Sequence, residues 1–101
     1  MNAPAAITGH PEADTILKRG RAHLHELRDR ALDRIHRMPG GWTREILVMV
    51  AEMAQRVASY PATSADEKIA QGVAMRRAYF TCLNLLEAAT RCEELEGIEP
   101  L

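Results

Sequence analysis

Any chemistry in this 101-residue chain has to come from a small set of side chains. Four histidines, His10, His23, His25 and His36, fall in or beside the first helical stretch. A helical metal pair needs ligands three or four residues apart, on one face. His23 and His25 are two apart and diverge by about 200° around a helix axis, so surface histidines are expected and no metal site is. His25 and Asp29 have the i,i+4 spacing, but both lie on the polar side of the stretch. Cys82 and Cys92 have no histidine near them in sequence, and neither a Gly-rich phosphate loop nor a Ser-centred turn occurs. Nucleophilic catalysis and nucleotide binding therefore lack their usual supports, and neither a catalytic residue nor a cofactor is expected. Ten positions along one helix separate the two thiols by about 15 Å, too far for a mutual bridge. Two free thiols are expected in a reducing, cytoplasmic compartment.

Two charged residues occupy unusual places. Arg76 and Glu87 both fall near the middle of an apolar helix face, where an unpaired charge is costly and must find a partner or reach solvent. They are candidate polar interface residues. One reading makes them a polar site in a helical bundle, anchoring an anion or fixing a partner's register. The other pairs Glu87 with Arg91 one turn on and lets Arg76 extend its stem across a subunit seam, and this reading is preferred.

Broader charge patterns exclude more than they include. Lys18, Arg19, Arg21, Arg28, Arg30, Arg34 and Arg37 are interleaved with Glu12, Asp14, Glu26, Asp29 and Asp33, which leaves +2 over that stretch. A surface that tracks phosphates is usually less mixed, and the whole chain carries −1. Direct nucleic-acid binding is not expected. Glu93, Glu94 and Glu96 crowd the C-terminal end of the last helix, against its dipole. They either fray that end or steer a basic protein partner toward it.

The elements that position these groups are helical. Sixteen alanines, 47% apolar residues and only four aromatics favour an all-α fold. Residues 1–14 lack the basic and apolar regions of a signal peptide, and the longest strongly apolar run, 46–51, is too short to span a bilayer. After a flexible arm over 1–10, Pro11 suits a first helical turn. From there Ala13, Leu17, Gly20, Leu24, Leu27, Ala31, Ile35 and Met38 recur at spacings of three and four, which predicts helix 11–38. Pro39, Gly40 and Gly41 stop it. Thr43 is the expected N-cap of a second helix over 44–60, with Trp42 stapled to Leu47. Pro61 ends that helix. Ser64 and Glu67 form a capping-box pattern that opens a third, over 65–96, with Gly97 as its αL cap and Gly72 as the one place for a kink. A tail over 98–101 completes a single domain, 11–97.

The third helix is apolar on two sides. Ile69, Val73, Tyr79, Phe80, Leu83 and Leu86 make one broad face, and Ala70, Ala74, Ala78, Leu85 and Ala88 a nearly opposite one, so neighbours are expected on both. At about 1.5 Å per residue the helices measure roughly 42, 25 and 48 Å. A short second helix would cover only part of the long ones. The first half of helix 1 and the second half of helix 3 would then project uncovered apolar stripes, the usual mark of an interface. The expectation is an intertwined or side-by-side helical-bundle homodimer, with Ile16, Leu17, Leu24, Tyr79, Leu83 and Leu86 at the dimer or partner interface.

Functionally these features point to a small cytoplasmic regulator or adaptor that binds another protein, in its most concrete form an antagonist covering the dimerisation or DNA-contact surface of a transcription factor. The plan also resembles, in architecture and not in motif, the small all-helical chorismate mutases. That resemblance implies an enzyme whose buried Arg, Lys, Glu and Gln side chains hold a dicarboxylate, with Arg76, Glu87 and Arg28 as the groups to test. A nucleic-acid-associated helical dimer is the third alternative.

Overall fold

The computed structural model describes residues 11–38 and 40–96, without the side chain of Glu96. The arm over 1–10 with His10, Pro39, Gly97 and the tail over 98–101 lie outside the described residues. Three helices, α1 (Pro11–Ile35), α2 (Trp42–Ser59) and α3 (Ala65–Glu96), pack against one another. None is long and apolar enough to cross a membrane.

Local chemistry sets each boundary. Pro11 opens α1, and its carbonyl accepts a hydrogen bond from Thr15 Oγ1 at 2.8 Å. The helix stops at Ile35, three residues before the expected end. Arg37 N–H donates to the Arg34 carbonyl and Met38 N–H to that of Ile35, both at 3.0 Å, which tightens the last turn to i→i+3 bonds. Met38 precedes a proline, whose ring disfavours helical backbone at the residue before it. Gly41, not Thr43, then sits at the N-cap of α2, with φ 93°. Its carbonyl accepts the Glu45 N–H at 3.2 Å, and its positive φ strongly favours glycine. Thr43 is fully buried inside the first turn, and Trp42 is 73% exposed, so the expected staple onto the buried Leu47 does not form.

The capping box of α3 is present as read. Glu67 N–H donates to Ser64 Oγ, and Ser64 N–H donates back to Glu67 Oε1, each at 3.1 Å. Thr63 Oγ1 donates to the same carboxylate oxygen at 3.1 Å. From this start α3 runs without a break through Gly72.

The direction of packing follows from which residues meet. Lys68 Nζ lies 2.8 Å from Asp14, Met75 lies over Gly20, and Arg34 pairs with Glu93. These pairs advance together along both helices, so α1 and α3 are parallel and in register. Helix α2 runs antiparallel to both, its C-terminal end reaching the level of Gln71 near the start of α3. Gln71 Nε2 donates to the carbonyl of Tyr60 at 2.6 Å, whereas Cys82, about three turns further on, lies against Val50.

This register corrects the expected overhang. The connection 60–64 contains no helix and begins with Tyr60 in extended backbone. Five such residues can carry the chain up to about 18 Å, which returns it to the level where α1 begins. Helix α3 therefore covers α1 along its length. Leu17 and Leu24 are buried within the chain, Ala89 is fully buried, and Leu83 and Leu86 are half-buried against the same core. Leu17 and Leu24 thus have no side-chain surface to offer a dimer seam.

The core-facing side of α3 is also different from the expected one. Its buried positions are Gln71, Met75, Ala78, Cys82, Ala89 and Glu93, a stripe at steps of three, four and seven. Ile69, Val73 and Phe80 lie roughly 150° around the helix and face outward. Glu93 takes Arg34, and Gln71 Nε2 spans the carbonyls at the end of α2, while Gln71 Oε1 is buried without a hydrogen-bond partner among the described residues.

Two outcomes follow. Arg34→Met should leave the Glu93 carboxylate largely buried without its partner and lower unfolding free energy by about 1 to 3 kcal/mol, less than for a fully buried pair because Arg34 remains partly wet. Arg37→Met, which removes a surface pair with Asp33, should change it by under about 1 kcal/mol in the same urea titrations.

The capping hydrogen bonds from Ser64 and Thr63 hold the Glu67 carboxyl below its ordinary value of 4.5. A lowered folded-state value contributes stability that is complete above the unfolded value and is lost as pH falls through the folded one. Carboxyl NMR titration should place Glu67 below 4.5 and move it back up in Ser64→Ala, with a shallower loss of stability in acid.

Candidate functional site

Outward placement of Ile69, Val73 and Phe80 leaves an apolar stripe on one side of the α1–α3 pair. Their stripe borders the α1 residues Ile16, Gly20 and His23 across a trough of about 730 Å³. No residue of α2 lines it, because the α3 face that meets α2 is the opposite one. Ile16 is 61% exposed, Ile69 65%, Val73 49% and Phe80 53%. From Ala13 to His23 on α1 and from Ile69 to Phe80 on α3 the trough extends about 15 Å, or three helical turns.

Two glycines shape its floor for different reasons. A Cβ on Gly20 would come within 2.9 Å of Met75 Cε, the far end of a flexible side chain, so glycine here leaves room for the Met75 thioether against α1. A Cβ on Gly72 would meet only Leu17 Cδ2, at 3.9 Å, an ordinary contact. Packing within the chain does not require glycine at 72, and its absent side chain leaves a notch in the trough. At the distal end His23, Tyr79 and Phe80 form an aromatic run, with ring centroids 5.8 Å apart for the first pair and 5.7 Å for the second.

Among the described residues, every formally charged one lining the trough is basic: Arg19, Lys68 and Arg76. Lys68 is held by Asp14. Arg19 and Arg76 have no ion-pair partner among the described residues. Arg76 therefore reaches solvent at the middle of an apolar stripe, where a long stem can lie on the apolar surface while its head stays hydrated.

The remaining sequence-predicted residues are dispersed. Glu87 is exposed and accepts a bond from Arg91 one turn on at 3.3 Å, in keeping with the preferred reading of that residue. Eleven positions, about 16 Å of helix, separate it from Arg76. Arg28 bonds Asp29 and Gln55 near the surface. The chain does not bring Arg28, Arg76 and Glu87 together into an anion-binding cluster. Glu93, expected to steer a partner, is instead buried and paired, whereas Glu94 is exposed. The side chain of Glu96 lies outside the described residues.

Leu83 and Leu86 support the core from its edge, Tyr79 is half-buried at the end of the trough, and only Ile16 among the interface candidates on α1 is open to solvent. Cys82 is fully buried, with its Sγ 3.8 Å from the Val50 carbonyl, and burial pushes its thiol above the ordinary value of 9.0. No group of three or more His, Cys, Asp or Glu among the described residues could hold a metal ion.

Sequence reasoning missed Arg19, His23 and Gly72 as trough residues. It did identify Ile69, Val73 and Phe80 as one apolar face, but assigned no part of that face to an open trough. An arginine in the middle of the stripe was the available signal, because a stripe interrupted by an unpaired cation is more easily wet than buried.

Exposure separates surface from core in a measurable way. Ile69→Gln and Phe80→Gln should each change unfolding free energy by under about 1 kcal/mol, as exposed positions do. Leu24→Ala, a fully buried position, should cost about 2 to 5 kcal/mol. Gly72→Ala should raise stability by up to about 1 kcal/mol, since it removes a helix-interior glycine without a clash. Urea denaturation of the four variants checks the set.

Compared with models of protein families, with curated proteins and with solved structures, the chain finds no match.

Proposed function

We propose that this chain is a small regulatory or adaptor protein that acts by binding another protein, with the trough between the first halves of α1 and α3 as its binding face. One observation carries the reading: Ile16, Ile69, Val73 and Phe80 stand about half or more exposed, from 49% to 65%, along one continuous channel, where water contact is costly and a partner would relieve it. The channel has the dimensions of a helix-in-groove site, three turns long and bordered by two parallel helices. An aromatic end formed by Tyr79 and Phe80 and a guanidinium at Arg76 are the side-chain types that dominate interface energetics. A small all-helical enzyme of the chorismate-mutase plan gains no support from the dispersed positions of Arg28, Arg76 and Glu87.

A benzophenone amino acid placed at Phe80 tests this directly. In the cells that make the protein, irradiation should yield an adduct of one discrete mass from position 80 and none from Arg56, an exposed position on α2. The captured protein, once purified, should bind the chain and bind Ile69→Gln at least about tenfold more weakly, the loss of a well-buried interface anchor. Equal adducts from both positions, or binding indifferent to Ile69→Gln, would overturn the assignment.

A further inference from the structure

We infer that the occupant of the trough is an amphipathic helix whose apolar stripe is flanked by carboxylates. This rests on the trough being a protein-binding face and adds the chemistry of what it binds. The apolar floor alone would accept many helices. What narrows the choice is the charge around it.

Arg19 and Arg76 stand near mid-length of the trough on its two sides, one on each helix. No carboxylate lines the trough with them, and neither is spent on an ion pair among the described residues. A helix laid between α1 and α3 would pass both guanidinium groups, each able to take a carboxylate through two parallel hydrogen bonds. Lysine or arginine at the same positions of the occupant would face like charge in a partly dry setting. Gly72 adds room: no side chain fills the trough floor between Ile69 and Arg76, where an added Cβ would touch only Leu17 Cδ2 at 3.9 Å.

The same geometry disfavours a second copy of the chain. A two-fold axis through the middle of the trough would bring Arg19 and Arg76 of one copy against Arg19 and Arg76 of the other. Four cations would gather at the centre of the apolar interface, with the acidic helix starts at Glu12 and Asp66 displaced toward its ends. An acid-flanked helix puts opposite charge where this arrangement puts like charge.

The test uses two fluorescein-labelled peptides of about 14 residues, each with leucines at helical spacing and identical except that the flanking positions carry Glu in one and Lys in the other. Anisotropy titrations with the full chain should show the Glu peptide binding about tenfold or more tightly at low salt, with the gap narrowing as salt screens the rim. Arg19→Glu with Arg76→Glu, both at exposed positions, should reverse the preference while far-UV circular dichroism stays unchanged. Ile69→Gln with Phe80→Gln should weaken the Glu peptide about tenfold or more.

Equal affinity for the two peptides, unaltered by the arginine substitutions but lost in Ile69→Gln with Phe80→Gln, would overturn the acidic occupant and leave the trough as a binding face. Binding that survives the latter double substitution would overturn the trough itself. A native chain that binds neither peptide and scatters light as a dimer, becoming monomeric in that variant, would assign the trough to a second copy and overturn the inference.

Discussion

Parallel alignment of α1 with α3 is the constraint from which the rest of the molecule follows. Two helices separated by a third in sequence lie parallel when the connections are short, but their relative level is free until something sets it. Here the connection 60–64 sets it: Tyr60 leaves α2 in extended backbone, Pro61 forbids continuation, and the Ser64 capping box restarts the helix near the beginning of α1. The level is then held at three heights, by Lys68 on Asp14, Met75 on Gly20 and Arg34 on Glu93. At the middle height Gly20 offers no Cβ, and the end of the Met75 side chain takes that place.

Once α1 and α3 share a level, the rotation of α3 about its own axis decides what is buried. The observed rotation turns Gln71, Met75, Ala78, Cys82 and Ala89 inward, a stripe of modest hydrophobicity. Ile69, Val73 and Phe80 would bury more apolar area. Several features favour the observed choice. Small residues at 78 and 89, with Ala54 and Ala58 fully or nearly buried on α2, let three helices approach closely. Gln71 reaches the Tyr60 and Val57 carbonyls that α2 leaves unsatisfied at its C-terminus. Turning the other face inward would put Arg76 and Glu87 in the core together, at a desolvation cost that the gained apolar area would not offset.

This competition explains what was legible in the sequence. Helix existence was legible because Pro39, Gly40, Gly41, Pro61 and the Ser64 to Glu67 pair are local signals with local causes. The N-cap of α2 slipped from Thr43 to Gly41 because a positive φ at glycine starts the helix earlier than a hydroxyl would. Register was not legible from helix lengths alone, since an extended connection moves the chain as far as several helical turns without leaving a periodic trace. The face of α3 was ambiguous because both faces are apolar and polar groups interrupt each; Gln71 reads as a surface residue until the α2 carbonyls above it are known. Of the candidate site, Ile16, Tyr79 and Arg76 were identified from sequence, but the contribution of Arg19 and Gly72 depends on which side of the α1–α3 plane lies open.

The two halves of the molecule differ in how well they are covered. Along the distal half, α2 closes a three-helix core around Leu24, Leu27, Ala31, Leu47, Val50 and Cys82. Along the first half, α1 and α3 have the end of α2 on one side and open water on the trough side. Burial per residue is lower there, and that half is the natural place for local opening at less than the global cost. A helix bound in the trough would give this half a cover on its open face and would stabilise the folded state by mass action. The stripe that the α3 core rejects has a physical cause on each side: turned inward it would bring Arg76 and Glu87 out of water, and turned outward it leaves an apolar face along α1 that α2 does not reach.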